Sequence, residues 1–248
     1  MSIVSKNSLK DGAMKELFKL GAHFGFSRAR RHPSTEGYIF GFKNRQAVLD
    51  LEKSISSLEE AKDFVKTIAG KGKLLLLVGA KNEIRSVIAS AANTINMPYV
   101  NERWLGGTLT NFKELRKRTA RLLEIRDGEK TGDLNKYTKK ERGVIAQEKS
   151  RLERYFASLI PLTELPGAML VVDVNEEAIA VAEAKKLNIP VITLSNSDCD
   201  IRGISYPIVG NDSAQGSVRY FVNELVEAYR EGATVKKEVE GVAEVATA

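Results

Sequence analysis

The stretch that decides the fold is KLLLLVG at residues 73–79, an uninterrupted apolar run that ends in glycine. Continuous apolar strands that alternate with helices are typical of a parallel sheet covered on both faces. Four similar runs occur elsewhere: MPYV at 97–100, AMLVVDV at 168–174, PVITLS at 190–195 and SYPIV at 205–209. Helical periodicity is found at residues 54–69, 83–95, 176–187 and 213–229. The sequence therefore predicts a three-layer α/β fold with about five parallel strands.

This alternation breaks off between residues 109 and 159. Two sets of residues recur there at alternating spacings of three and four: Phe112, Leu115, Thr119, Leu122 and Arg126, then Ile145, Glu148, Leu152, Tyr155 and Leu159. Such narrow seams are typical of two helices packed as a coiled coil. We therefore predict a protruding antiparallel coiled-coil hairpin at 109–159, inserted into an α/β body formed by residues 1–108 and 160–231.

The two ends of the chain carry further elements. Residues 9–20 have helical periodicity, and a basic loop, HFGFSRARRHP, follows at 23–33. Two β-rich runs separated by Lys43, Asn44 and Arg45 then predict a β-hairpin, so residues 9–50 form an N-terminal helix, loop and hairpin. The small, polar residues 232–248 predict a flexible tail.

The positive charge is concentrated in two places. The chain of 248 residues carries a net charge of +6. Residues 113–154 contain fourteen lysines and arginines against eight aspartates and glutamates, and residues 28–45 contain five against one. These two segments therefore carry all of the excess, which favours a polyanionic partner such as nucleic acid.

The residues of catalytic and metal sites do not form a recognisable pattern. Gly79 follows a strand without the glycine spacing of a dinucleotide fingerprint or a phosphate-binding loop. The chain has two histidines and one cysteine, Cys199, so no internal disulfide can form and a reducing, cytoplasmic setting is expected. We predict no catalytic residues, no cofactor, no metal site, no membrane segment and no small-molecule substrate, although the sequence leaves open whether His23 or the Asp198/Asp200 loop binds a metal ion.

Candidate RNA-binding residues follow from the placement of charge. The loop at 23–33 interleaves aromatic residues with Arg28, Arg30 and Arg31, which suits base stacking together with phosphate contacts. On the first hairpin helix, a stripe of cations at helical spacing is a second candidate: Lys113, Arg116, Lys117 and Arg121.

Several motifs resemble one known family. They are LFKLGAHFGFSRARRHPSTEGYIFGF at 17–42, VGAKNE at 78–83, MPYVNERWLGGTLTNF at 97–112 and SYPIVGNDS at 205–213. Together they resemble the ribosomal protein S2 family of the bacterial and organellar type, in order and from about Met14 to Tyr229.

The resemblance implies a flavodoxin-like body with an inserted coiled-coil hairpin and a structural, non-enzymatic role in translation. It implies binding to small-subunit ribosomal RNA where the head meets the body of the subunit. The implied protein partners are neighbouring small-subunit ribosomal proteins, including the messenger-binding protein S1, on a cytoplasmic or organellar ribosome. By similarity, the RNA-facing residues are His23, Phe24, Arg28, Arg31, Tyr38, Arg103, Trp104 and Thr110.

Two other classes of function remain open at this level. An α/β body of this kind could belong to a nucleotide-using enzyme, because ligands of doubly wound sheets bind at the carboxyl ends of the strands. Alternatively, the hairpin could be an interaction module that docks a protein.

Overall fold

The computed structural model describes residues 12–246, with side chains throughout except at 135 and 235–246. A five-stranded parallel sheet forms its centre, with the strands in the order β5-β4-β6-β7-β8. The strands are β4 (Leu75–Val78), β5 (Tyr99–Val100), β6 (Ala168–Val172), β7 (Val191–Ser195) and β8 (Tyr206–Val209). This is the 2-1-3-4-5 order of flavodoxin-like folds, with its switch point between β4 and β6. The predicted α/β class is confirmed.

Alternate residues of the strands enter two separate cores. Leu75 and Leu77 point into one apolar cluster, whereas Leu76 and Val78 point into the other. The first cluster packs the sheet against α2 (Leu51–Gly70), α3 (Arg85–Thr94) and α7 (Gln215–Ala246). The second packs it against α6 (Ala178–Lys186) and the base of the inserted hairpin. Helices on both faces explain why the strands are continuously apolar.

The N-terminal part of the chain forms a second, antiparallel sheet. Helix α1 covers residues 12–19 of the described chain and is followed by Gly21 at φ +72°, as is common after a helix. The strands β1 (Phe24–Ser27), β2 (Ile39–Lys43) and β3 (Gln46–Leu49) then pair in the order β1-β3-β2. The β2–β3 hairpin was predicted, whereas β1 lies where the sequence predicts only a loop.

The insertion consists of α4 (Phe112–Thr131) and α5 (Lys139–Phe156). Arg126 pairs with Glu153, and Lys149 with Glu129, so the two helices run antiparallel. Their apolar contact is formed by Leu122, Ile125 and Leu152. The seam was predicted to contain Arg126, but the buried residue at this turn of the helix is Ile125. Arg126 instead keeps its guanidinium at the surface beside Glu153. We refer to α4 and α5 as the hairpin.

The last helix differs from the sequence-based expectation. A flexible tail was predicted from residue 232, but α7 continues as a helix to Ala246. Ion pairs with α2 hold its middle part, between Lys62 and Glu224 and between Lys66 and Glu231. Among residues 12–246, no helix combines the length and the hydropathy needed to cross a bilayer.

Candidate nucleic-acid interface

The basic loop is anchored to the main sheet through one serine. Ser197 follows β7 and is completely buried. Its hydroxyl accepts a hydrogen bond from the Phe26 amide at 2.9 Å, and its carbonyl accepts one from the His32 amide at 2.8 Å. The Thr35 hydroxyl donates to the same carbonyl at 2.8 Å. The loop is therefore held in place over the carboxyl end of β7.

Aromatic rings form one side of this region. The ring of His23 stacks on Phe18, with centroids 4.2 Å apart and planes 7° apart, and packs against Phe24 at 4.0 Å. His23 is buried, and burial lowers its pKa, so the imidazole is neutral at neutral pH. Phe18 and Phe24 are 60% and 47% exposed, which is unusual for such large apolar side chains.

Arginines lie over other rings of the same region. The guanidinium of Arg28 is 5.5 Å from the ring centre of Phe42, and that of Arg31 is 5.9 Å from the same ring. Arg30 lies 4.5 Å above Phe26. Cation–π contacts of this kind use the face of the guanidinium and leave its N–H edge to anions; the edge of Arg30 lies 3.8 Å from Asp198. Arg31 also donates to Glu36 at 3.0 Å.

A groove lies in the same region as these rings and arginines. It has a volume of about 670 Å³ and runs between the rings of Phe18 and Phe24 and the β2–β3 turn at Lys43 and Asn44. Arg45, in the same turn, accepts a backbone hydrogen bond from Arg28 at 3.1 Å. We define the aromatic–basic surface as Phe18, Phe24, Arg28, Arg30, Arg31, Phe42, Lys43 and Arg45.

Two of the predicted RNA-facing residues lie inside the protein. His23 is 9% exposed and Trp104 is 6% exposed. The Trp104 indole N–H donates to a carboxylate oxygen of Glu183 at 3.2 Å. The expectation that these two rings face RNA is therefore corrected: His23 supports Phe18 and Phe24 from beneath, and Trp104 belongs to the core.

The loop that contains Trp104 encloses the Glu183 carboxylate. The backbone amide of Gly107 donates to Oε1 at 2.7 Å, and the amides of Leu109 and Thr110 donate to Oε2 at 3.0 Å each. The Thr110 hydroxyl adds a hydrogen bond at 3.1 Å. Burial alone raises the pKa of Glu183, but these donors outweigh it and the pKa is lowered. Thr110 is nevertheless exposed, so its predicted RNA contact stays a prediction.

The cations at the base of the hairpin differ in their availability. Arg103 and Lys113 are exposed, and among the side chains of residues 12–134 and 136–234 no partner for their charges is found. Lys117 pairs with Glu114 at 2.6 Å, and Arg121 with Glu148 at 3.4 Å. The Arg116 guanidinium donates to the carbonyl of Leu162 at 3.2 Å. These last three side chains are exposed, so their charges are only partly neutralised and still face solvent.

Both basic regions lie at the carboxyl edge of the main sheet. The aromatic–basic surface is tied to the segments after β7 and β8, through Ser197 and through the hydrogen bond from the Asn211 amide to the Ala22 carbonyl. The hairpin leaves the body just after β5, at the other end of the strand order. Tyr38 is separate from both and lines a shallow groove with Glu52 and Lys53.

Between these regions, the switch point of the sheet holds a buried charged cluster. Lys81 places its Nζ 2.6 Å from Asp173 and 2.9 Å from Asp212. Burial alone lowers the pKa of Lys81, but the hydrogen bond to Asp173 and the charge of Asp212 outweigh it, so the pKa is raised. This ion pair spans the crevice in which nucleotides bind to doubly wound sheets.

The sequence left open whether His23 or the Asp198/Asp200 loop binds a metal ion, but the structure brings other possible ligands together. Among the described residues, the group close enough to share an ion consists of Asp173, Cys199 and Asp212. Asp200 instead accepts three hydrogen bonds from the guanidinium of Arg202, which lower its pKa. Lys81 already supplies the positive charge between Asp173 and Asp212.

Two residues central to this geometry were missed by the sequence reasoning. Ser197 lies in a polar loop with nothing to distinguish it from its neighbours. Glu183 interrupts the apolar face of α6 between Val181 and Ala184, and this polar residue on a buried face was the available signal.

Comparisons with known proteins agree with the motifs. The model of the family "Ribosomal protein S2" matches residues 17–232. The small ribosomal subunit protein uS2 of Mycobacteroides abscessus is 39% identical over 228 residues, which are 92% of this chain and 82% of that protein. The uS2 proteins of Mycobacterium leprae and Amoebophilus asiaticus are 40% and 39% identical, covering 90% of this chain and 80% and 72% of their own lengths. The chain therefore belongs to the ribosomal protein S2 family.

Proposed function

We propose that this protein is a structural, non-enzymatic constituent of the small ribosomal subunit and binds ribosomal RNA at the carboxyl edge of its sheet. Its curated relatives are named small ribosomal subunit proteins, which supports the ribosomal role. The observation that carries the RNA-binding role is the placement of Arg28, Arg30 and Arg31 over exposed or half-buried phenylalanine rings.

The chemistry of the aromatic–basic surface suits single-stranded or looped RNA. Unstacked bases can lie on the exposed rings of Phe18 and Phe24, while the arginines contact the neighbouring phosphates. The groove beside these rings ends at Asn44 and Gln46, whose amides can donate to and accept from base edges. A surface that binds protein through its apolar centre is depleted in charge, whereas this one has arginines over Phe26 and Phe42 and Lys43 in the groove lined by Phe18 and Phe24.

The hairpin provides the second contact. Arg103 and Lys113 are the free cations nearest to the body, and Arg116, Lys117 and Arg121 continue the positive charge along α4. Cations spread along an exposed helix fit the backbone of an RNA helix and carry little sequence information. The aromatic–basic surface would therefore contact bases, and the hairpin would contact phosphates.

The finer assignments follow from the resemblance to the family. They are a position where the head of the subunit meets its body, contacts with neighbouring small-subunit proteins, and recruitment of the messenger-binding protein S1 on a cytoplasmic ribosome. The rival role as a nucleotide-using enzyme is disfavoured because Lys81 and Asp173 already span the switch-point crevice.

A salt titration of RNA binding tests the proposal. Arg28, Arg30 and Arg31 would be changed together to glutamine, and the matched control would change Lys71, Lys186 and Arg219, which are exposed cations elsewhere. Both variants lose three charges, but only the first should weaken binding to small-subunit RNA and reduce the slope of log K against log salt by about 2. Equal losses in the two variants would reduce the interaction to nonspecific charge and contradict the proposed surface.

Incorporation into subunits gives the second test. The variant altered at the three arginines should cosediment poorly with small ribosomal subunits at moderate salt, and the control should cosediment normally. Normal incorporation of both would show that the aromatic–basic surface is not the RNA contact.

A further inference from the structure

The loop from Trp104 to Thr110 has the geometry of an anion-binding site, and its occupant is part of the same chain. Three backbone amides, one hydroxyl and one indole N–H converge on the Glu183 carboxylate, at distances of 2.7–3.2 Å. Successive amides that point at one anion are a recurrent way of binding phosphates and carboxylates. Here Gly107 adopts φ +91°, a conformation favoured by glycine, so that its amide faces Oε1.

The location of this contact gives it a consequence beyond stability. Residues 104–110 are the segment through which the chain leaves the body after β5 and enters α4. Glu183 lies on α6, which packs against the sheet. A single carboxylate therefore connects the root of the hairpin to the rigid part of the fold.

Leu109, Leu115 and Leu162 pack the hairpin root into the second apolar cluster, whereas its ion pairs are more exposed than the Glu183 contact. Arg154 donates to Glu102 at 3.0 Å, and Glu102 in turn lies 3.5 Å from Arg85. Arg154 is 60% exposed, and exposed ion pairs contribute little because water screens them. Glu183 is buried, and the buried donors of Trp104 and Leu109 would lack a partner if the carboxylate were removed.

We propose that Glu183 is a positioning residue, whose carboxylate acts as an internal anion that fixes the direction in which the hairpin leaves the body. This inference rests on the proposed function, because the direction of the hairpin determines where Lys113 and Arg116 meet RNA relative to the aromatic–basic surface. The residue would act through the loop and would not touch RNA itself.

The first test measures the direction of the hairpin without RNA. Spin labels on Lys140→Cys in α5 and Lys71→Cys after α2 would report the distance between hairpin and body, and Cys199 is completely buried and should not be labelled. Glu183→Gln keeps the shape of the side chain but places an amide N–H₂ against N–H donors. We expect its distance distribution to be at least twice as wide as that of the parent, while Glu176→Gln, an exposed control just before α6, keeps the parent width.

Chemical rescue separates positioning from a general packing defect. In Glu183→Ala the loop should accept acetate from solution, so that acetate narrows the distance distribution and restores the emission of Trp104, the only tryptophan in the chain. Chloride at equal ionic strength should do neither. A distribution that is unchanged in Glu183→Gln, or widened but insensitive to acetate in Glu183→Ala, overturns the proposal.

If the Glu183 variants fail to fold, the loop can be altered from its other side. A Cβ at Gly107 would meet only the Asn111 Cβ, at an ordinary 3.5 Å, so Gly107→Ala mainly disfavours the φ that aims the amide. This variant should also widen the distribution, and a parent-like width would overturn the proposal.

RNA affinity then distinguishes failure of this inference from failure of the proposed function. Glu183→Gln should lose as much RNA affinity as the double variant Lys113→Gln/Arg116→Gln. The triple variant that combines all three changes should lose no more RNA affinity than either of these. If the two cation changes leave RNA affinity unaltered, the hairpin does not bind RNA and the proposed function is at fault. If they weaken it but Glu183→Gln does not, the positioning role is rejected.

Discussion

The Nζ of Lys81 lies 2.6 Å from Oδ2 of Asp173, across the switch point between β4 and β6. Lys81 follows β4 and Asp173 follows β6, so the contact joins the two strands from which the sheet grows in opposite directions. Asp173 adopts φ +68°, an uncommon backbone conformation for a non-glycine residue. Asp173 is buried and keeps this conformation beside the partly buried Lys81, which indicates that the ion pair organises the edge of the sheet.

Replacing Lys81 by methionine should therefore destabilise the protein. Asp173 and Asp212 would be left buried without a counter-charge, which costs about 3 kcal/mol or more in the free energy of unfolding near neutral pH. Because the pKa of Lys81 is raised, the contribution of its charge is undiminished on the alkaline side up to the unfolded lysine pKa and is lost as the pH rises through the folded pKa.

Chemical denaturation of Lys81→Met and Lys62→Met would measure this effect. Lys62 pairs with Glu224, which is partly exposed, so its loss should cost about 1 kcal/mol or less. The deficit of Lys81→Met should shrink on acidification, because burial raises the pKa of Asp212 and a protonated Asp212 no longer needs the lysine. Equal deficits for the two variants would contradict the role of the buried cluster.

Glu177 and Glu183 show how hydrogen-bond donors decide the charge of a buried carboxylate. Burial is the largest influence on the pKa of both residues, and it raises the pKa. Glu183 has five donors and its pKa is lowered, whereas Glu177 accepts only from the Ala80 amide and its pKa is raised to about 7. The two glutamates are six positions apart in the sequence, so their different behaviour comes from tertiary contacts.

The raised pKa of Glu177 predicts an unusual pH dependence. The folded state holds a proton that the unfolded state, with a pKa near 4.5, has released. This contribution to stability therefore falls as the pH rises from about 4.5 to about 7, by up to about 3 kcal/mol, and is constant above. Glu177→Gln should remove this decline and make the protein more stable than the parent at pH 8.

Denaturation curves at pH 5 and pH 8 would test it. Glu164→Gln is the matched control, because Glu164 is an exposed glutamate that is not among the groups acting on Glu177, so the decline should stay in place. A parent-like decline in Glu177→Gln would assign the pH dependence to another group.

The hairpin offers a comparison of two adjacent leucines. Leu122 is completely buried between α4 and α5, whereas Leu123 is 41% exposed. Leu122→Ala should cost about 2–4 kcal/mol through lost contacts and a cavity, and Leu123→Ala about 0.5 kcal/mol. In Leu122→Ala, amide hydrogens of residues 112–156 should lose protection from exchange, whereas those in the strands of the main sheet should change little. A loss spread evenly over both would mean that the hairpin and the body unfold as one unit.

The β2–β3 turn combines backbone strain with charge. Asn44 and Arg45 have φ values of +51° and +66°, which fits a type I′ turn, where glycine is preferred at the second position. Arg45→Gly should raise the free energy of unfolding by about 1 kcal/mol while weakening RNA binding, because the aromatic–basic surface loses a cation. Arg45→Ala should weaken RNA binding equally without the gain in stability. If Arg45→Gly binds RNA as well as the parent, Arg45 is not part of the contact.

The parts of the fold that were predictable are those in which local pattern decides structure. Apolar runs such as residues 73–79 gave the strands, and alternating spacings gave α4 and α5. The pattern contains no information on strand order, which depends on the crossovers. It also missed β1, because Phe24–Ser27 is only partly apolar and is held by pairing with β3 and by Ser197.

The site was less predictable, because charge placement in a sequence does not specify which side chains are neutralised. Trp104 follows an arginine in a glycine-rich segment and was expected at the surface, but Glu183 binds its N–H inside the protein. Lys117 and Arg121 were identified as cations, whereas their partners Glu114 and Glu148 become evident only once α4 and α5 are in place.

The anchoring of the basic loop by Ser197 also constrains the order of events during synthesis. Phe26 and Ser197 are 171 positions apart, so the loop leaves the ribosomal exit long before its support exists. β4 likewise pairs with β6, whose residues follow the whole hairpin. Until residues near 212 have been made, the nascent chain lacks both the complete sheet and the fixed aromatic–basic surface. RNA recognition by that surface is therefore coupled to completion of the chain, and truncated products would not present it.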